Sequence, residues 1–221
     1  MGAEEKIFNI DLSQFKERDA EVAEWERREA ERIKTERYGK QAPKRYWSEG
    51  VYSYKAETEN EREAMEATKA FITAVKCGKF CGLIFLGNAG TGKTHLALGA
   101  IRECGGLYRL SPNICEELRR AKSFTSKNTE AEILEEYGSV KLLVVDEIGR
   151  GVAAAEEQYA LYQIINERYN RQKPTILVSN QSKKDFLNYI GIAATDRLTE
   201  SARIVEFTGK SYRATLRKSA E

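Results

Sequence analysis

From residue 83 onward the chain switches repeatedly between short apolar runs and longer stretches whose apolar residues fall three and four apart. The runs at 83–86, 107–111, 140–146, 174–180 and 203–207 predict strands, those at 83–86 and 140–146 apolar enough for buried parallel strands. The stretches between them predict helices at 93–104, 130–137, 155–171, 183–189 and 193–200. A further helix, capped by Ser111 or Asn113, is expected to run to about residue 122. Another helix at 57–76 precedes the first strand. Strands alternating with helices in this way predict an α/β domain built on a parallel sheet.

The first quarter of the chain has a different pattern. Residues 11–38 contain no Gly or Pro and predict one long helix dense in charge of both signs. Its apolar residues are few, and Leu12, Phe15, Val22 and Trp25 fall on one stripe too narrow to cover a core. Pairs such as Glu24–Arg28 and Glu29–Arg32 would support the helix locally. A solvated helix is one reading. A docking helix whose stripe lands on another protein is favoured, because Phe15 and Trp25 gain little on a free helix. Residues 39–56 hold Gly39, Pro43, Gly50, Tyr46, Trp47, Tyr52 and Tyr54 and read as a linker packed on the domain edge. Its aromatics could pack plainly or lie near a nucleotide base.

Composition narrows the function classes. Of 221 residues, 41% are hydrophobic and 32% charged, with a net charge of +2. One sizeable core is affordable, and any nucleic-acid site must be a local patch rather than a global charge. The strongest patch is Arg119, Arg120, Lys122 and Lys127 around Phe124, where phosphates could be held and a base stacked; a solvated loop is an equal reading. Cys77, Cys81, Cys104 and Cys115 lack the paired spacing of a zinc site and read as reduced thiols. No apolar run is long enough to span a membrane and no signal-peptide core is visible, so a soluble cytoplasmic protein without a membrane partner is expected.

Two stretches carry chemistry. Residues 87–94, Gly-Asn-Ala-Gly-Thr-Gly-Lys-Thr, match the phosphate-loop pattern G-x-x-x-x-G-K-[ST], and they lie between a predicted strand and a predicted helix. Glycines let backbone N–H groups close on a phosphate without a Cβ in the way, and the helix N-terminus adds partial positive charge. In this pattern Lys93 reaches the β- and γ-phosphates of ATP and the Thr94 hydroxyl ligates Mg²⁺. The run at 140–146 ends in Asp146-Glu147, at the strand edge where open α/β sheets bind ligands. Asp146 suits the Mg²⁺ shell, and Glu147 suits the general base that polarises water. Asn180, at the tip of the fourth strand, would lie between the γ-phosphate and these acids.

The order of motifs resembles the AAA+ ATPases of the DnaC/IstB family, most of all the DnaC-type replicative helicase loaders, over roughly residues 50–214. The resemblance rests on 87–94 followed by His95-Leu96-Ala97, on Leu-Leu-Val-Val-Asp-Glu-Ile-Gly at 142–149, on the strand at 175–180, on Asp196-Arg197-Leu198 and on Ser211-Tyr212-Arg213. It implies a five-stranded sheet in the order 5-1-4-3-2 flanked by helices. Residues 1–49 form an N-terminal helical arm and linker, 50–214 the ATPase domain and 215–221 a basic tail. It implies a nucleotide site of Gly87, Asn88, Ala89, Gly90, Thr91, Gly92, Lys93, Thr94, His95 and Asp146, with Arg213 as a second sensor. Asn180 takes the sensor role, and Arg197 acts as an arginine finger on a neighbouring copy, so self-association is expected. It further implies that residues 112–137 meet single-stranded DNA and that the arm grips a hexameric DnaB-type helicase.

The departures from the family pattern matter. No second arginine precedes Asp196-Arg197-Leu198, where the chain reads Gly-Ile-Ala-Ala-Thr. Few residues follow the fifth strand, so the helical lid is expected to be absent or minimal, and Arg213 could equally serve DNA. The short arm has no cysteine and suggests a phage or prophage version. The resulting expectation is an ATP-dependent loader that places the replicative helicase on single-stranded DNA and lets go on hydrolysis. Two alternatives stand beside it. One is an IstB-like transposition ATPase acting on duplex DNA, and the other is a nucleotide-binding adaptor or inhibitor without useful turnover.

Overall fold

The computed structural model describes residues 12–212 apart from 124 and 152, with 12–20 described by backbone alone. The side chains of Phe15, Phe124 and Arg213 and the tail 215–221 therefore lie outside the described residues. The chain divides into two compact units between Arg37 and Tyr38.

The described residues of the first unit are helical. Helix α1 spans Leu12–Gln41 and its last turn belongs to the second unit. Within the first unit the expected pairs form, Arg28 to Glu24 at 2.5 Å and Arg32 to Glu29 at 2.6 Å, each on an exposed face. Such exposed pairs support the helix locally and are screened by solvent. Val22 and Trp25 are 54% and 65% exposed.

The second unit is a three-layer sandwich. Its strands are β1 (Gly82–Gly87), β2 (Leu107–Leu110), β3 (Leu143–Ile148), β4 (Thr175–Ser179) and β5 (Ala202–Phe207), and its helices are α2 (Glu59–Lys76), α3 (Lys93–Cys104), α4 (Ser111–Ala121), α5 (Glu130–Ser139), α6 (Ala154–Asn170), α7 (Lys183–Ile190) and α8 (Ile192–Ser201). The sheet is parallel throughout, in the order β2-β3-β4-β1-β5, which is the implied 5-1-4-3-2 read from the other edge. The apolar runs are continuous because both faces are covered. Leu83 and Phe85 pack with α2 and α3, while Ile84 and Leu86 pack with α4, α6, α7 and α8. Thr58 with Glu61 and Thr129 with Glu132 form reciprocal caps that start α2 and α5.

Two local expectations are corrected. Helix α4 has no side-chain cap from Ser111 or Asn113: it starts from Leu110, and the Ser111 hydroxyl turns inward to Glu157 instead. Strand β3 begins at Leu143 rather than at residue 140, because α5 runs on to Ser139, and it continues past Asp146 to Ile148. Between Val145 and Ile148 the register against β4 slips, three steps on β3 matching two on β4. This is a β-bulge placed on Asp146-Glu147, with Glu147 at φ +58. A bulge re-aims side chains at a sheet's edge, and a left-handed glutamate is a strained residue held by its surroundings.

Candidate functional site: a nucleotide pocket at the sheet's C-terminal edge

β1 delivers the glycine loop. Gly87 has φ +109, and a Cβ there would come within 2.3 Å of the Phe207 carbonyl oxygen on β5, so only glycine lets the loop leave the strand here. Gly92 has φ +96 and caps α3, where a Cβ would meet the Tyr54 ring at 2.4 Å. The loop is closed from within. Thr91 donates its hydroxyl to the Asn88 carbonyl at 2.8 Å, and Tyr54 donates to the Thr91 carbonyl at 3.1 Å. Burial pushes the Tyr54 phenol well above its ordinary range, so it remains a donor. Lys93 is buried, with its ammonium donated to the Gly87 and Asn88 carbonyls at 2.8 and 2.6 Å. The cation that meets phosphate in this pattern is thus stored against the loop's own carbonyls.

β3 delivers the acids. Asp146 is buried, and its Oδ2 accepts from the Thr94 hydroxyl at 2.8 Å and from the Tyr108 phenol at 2.9 Å, while Oδ1 accepts from the Glu147 backbone N–H at 2.7 Å. A hydroxyl and a carboxylate side by side suit a hard divalent cation that keeps water and phosphate oxygens as its other ligands. Among the described residues no group of three or more His, Cys, Asp or Glu could hold a metal on its own. Glu147 stands beside the pair with its carboxylate 3.2 Å from the Arg150 guanidinium.

Thr91, Gly92, Lys93, Thr94, Asp146, Glu147 and Arg150 line one cavity of about 480 Å³, together with Ala89, Gly90, Asn180, Arg45, Lys55 and Tyr212, whereas Gly87, Asn88 and Tyr108 are not among its lining residues. That volume lies within the range of small-molecule and cofactor sites. The linker aromatics Tyr46 and Tyr54 line it as well, and His95 fixes them: its Nε2 donates to the Gly50 carbonyl at 2.9 Å, and its ring meets both tyrosines edge-on. His95 is therefore in the cavity wall with its ring nitrogen turned to the linker. Ser211-Tyr212 returns over the glycine loop, the Tyr212 N–H donating to the Gly90 carbonyl at 2.9 Å.

Other sequence-derived candidates lie elsewhere. Arg197 does not line the cavity. On α8 it donates to Asn166 at 2.8 Å and to the Ala193 carbonyl at 2.9 Å, with its guanidinium near the Tyr162 and Tyr169 rings. The 119–127 patch is partly neutralised, since Arg119 pairs with Glu116 and Glu156 and Arg120 with Glu116, all at 2.9 Å. Lys122 and Lys127 are exposed.

Sequence reasoning missed several residues in and around this site. Tyr108 and Arg150 are single positions that no motif marks. Arg45 is a lone base in the linker. Glu157 is buried at the start of α6, accepting from Ser111 at 2.5 Å, the Gly149 N–H at 3.0 Å and Tyr189 at 2.7 Å. It fixes the loop two residues beyond Glu147. The only available signal was an acid pair in a helix's first turn, which does not separate Glu157 from exposed Glu156.

A glycine loop between β1 and α3, acids on a bulged β3 and a 2-3-4-1-5 parallel sheet define a P-loop ATPase of the AAA+ class. Within that class the chain belongs to the IstB-like ATP binding protein family, which matches residues 19–220. It is 28% identical over 167 residues to the replicative helicase loader DnaC of Escherichia coli (strain K12), covering 73% of this chain and 68% of that one. It is 32% identical over 141 residues to the insertion sequence IS232 putative ATP-binding protein of Bacillus thuringiensis subsp. berliner, covering 59% and 55%. The crystal structure of the DnaC helicase loader superposes with a TM-score of 0.67 at 21% identity, covering 75% of this chain and all of that one.

Proposed function

We propose that this ATPase loads a ring-shaped replicative helicase onto single-stranded DNA in the cytoplasm, using ATP to hold the loading complex and hydrolysis to dissolve it. The observation that carries the reading is a cavity that gathers the phosphate loop, Asp146, Glu147 and Asn180 while the expected finger, Arg197, is held outside it. Such a site is finished only by a second copy, so ATP would join protomers, and hydrolysis would part them. The similarity to a helicase loader and the exposed Val22–Trp25 stripe favour a helicase as the arm's target. Lys122 and Lys127 are the cations of the 119–127 patch most available to a DNA backbone.

In the reaction, Lys93 leaves the loop carbonyls for the β- and γ-phosphate oxygens. Thr94 and Asp146 would hold Mg²⁺, which neutralises phosphate charge when bound. Asn180 orients the attacking water, and Glu147, freed from Arg150, takes its proton.

The identity to an insertion-sequence ATP-binding protein supports a second reading, in which the same ATPase acts on duplex DNA with a transposase. The test is helicase loading onto a protein-coated single-stranded circle, read as unwinding. The loader reading expects ATP-dependent stimulation that Glu147→Gln abolishes while ATP binding persists. No stimulation, together with ATP-dependent binding to duplex DNA, would favour transposition.

A further inference from the structure

Tyr108 occupies an unusual place. It lies on β2, the edge strand, yet its ring is buried and its phenol reaches across to Asp146 on β3. The backbone of the same residue is held from the other side. The Gln41 side-chain amide accepts from the Tyr108 N–H at 2.8 Å and donates to the Gly106 carbonyl at 3.1 Å. One amide thus makes the two bonds that a neighbouring strand would make, and it closes the exposed edge of the sheet. Gln41 is the last residue of α1.

We infer that Tyr108 is a positioning residue for the magnesium-bearing carboxylate of Asp146, and that Gln41 sets it from the end of α1 through the edge strand. The inference rests on the magnesium reading above. With Thr94 and Tyr108 both donating to Oδ2, the carboxylate is fixed in one rotamer before the cation arrives. Without the phenol one buried oxygen keeps a single donor and the group can turn. A shift at the end of α1 that pulls Gln41 from the strand would loosen the same phenol. The last turn of α1 is in this way wired to the metal site.

The test is ATP binding by calorimetry on the full chain, in EDTA and across a magnesium titration. Tyr108→Phe keeps the packed ring and removes only the hydroxyl. It is expected to bind ATP in EDTA as the wild type does, and to need about tenfold more Mg²⁺ for the same gain in affinity, the equivalent of one hydrogen bond to a charged group. Gln41→Ala is expected to shift the magnesium midpoint the same way by a smaller factor, and to add nothing in the Tyr108→Phe background. Asp146→Asn serves as the reference and should lose the magnesium gain. If Asp146→Asn responds and Tyr108→Phe does not, or binds Mg²⁺ more tightly, the inference is overturned and the metal reading stands. If Asp146→Asn also leaves the magnesium gain intact, both fall.

Discussion

Replacing Glu157 with alanine removes the acceptor of three donors at once: Ser111 on α4, the Gly149 N–H after β3 and Tyr189 on α7. Bonds to a charged acceptor contribute about 1.5–3 kcal/mol each, a gross loss of ~4.5 kcal/mol or more for three. Relief of the buried carboxylate's own desolvation, several kcal/mol at most and reduced here by the α6 N-terminus, offsets part of that. The net cost is therefore about 3 kcal/mol, and in a domain of this size each kcal/mol moves the melting point by roughly 2–4 °C. Glu157→Ala should melt ~6–12 °C below the wild type by that scale. Glu157→Gln retains an acceptor for Ser111 and Gly149, and Tyr189 can turn, so a loss of only about 1 kcal/mol is expected. ATP turnover of the alanine variant should fall at temperatures where it is folded, because the loop after Glu147 has lost its anchor, while ATP binding persists. Thermal and urea unfolding give the stability, and a phosphate-release assay gives the turnover. An alanine variant melting within 2 °C of the wild type would refute the reasoning.

Other consequences are open to measurement. Burial pushes the Cys81 thiol up to about 11, so at pH 8 its reactive thiolate is scarce; alkylation should modify exposed Cys77 first, with the Cys81 rate still climbing beyond pH 10, and equal rates at pH 8 would contradict this. Arg168 is buried and donates to Thr175 and to the Tyr137, Val140 and Pro174 carbonyls, so Arg168→Lys, which lacks the planar fork, should cost about 2–4 kcal/mol in urea unfolding. Arg197→Ala should bind ATP normally and turn it over slowly. Mixing it with Lys93→Ala should restore turnover, because one copy brings the site and the other the finger; no restoration would place Arg197 outside catalysis.

The architecture was legible because it is written in runs. Both-sided burial of the sheet makes β1 and β4 read as apolar blocks, and the glycine loop marks the strand–helix junction between them. The acids on β3 were legible as chemistry but not as geometry. A bulge leaves no trace in an apolar run, so the strand's extension through Glu147 and that residue's left-handed backbone came only with the register against β4. Charge patches were the least legible. Arg119 and Arg120 look free in sequence, yet Glu116 lies one turn back and Glu156 thirty-seven positions on, and only the fold brings the second acid close. Buried polar anchors such as Glu157, Arg168 and Tyr108 escape for the same reason, since their partners are distant carbonyls, hydroxyls and carboxylates.

The most direct test of the loader reading is the mass of a mixture. The full chain and the replicative hexameric helicase of the same cell would be combined with ATP and Mg²⁺ and followed by light scattering. The wild type should form one defined complex heavier than the helicase hexamer, and a Val22→Ala/Trp25→Ala variant, altered only on the exposed arm, should fail to form it while retaining ATP binding. The absence of any such complex with the wild type would contradict the account and leave duplex DNA as the target to pursue.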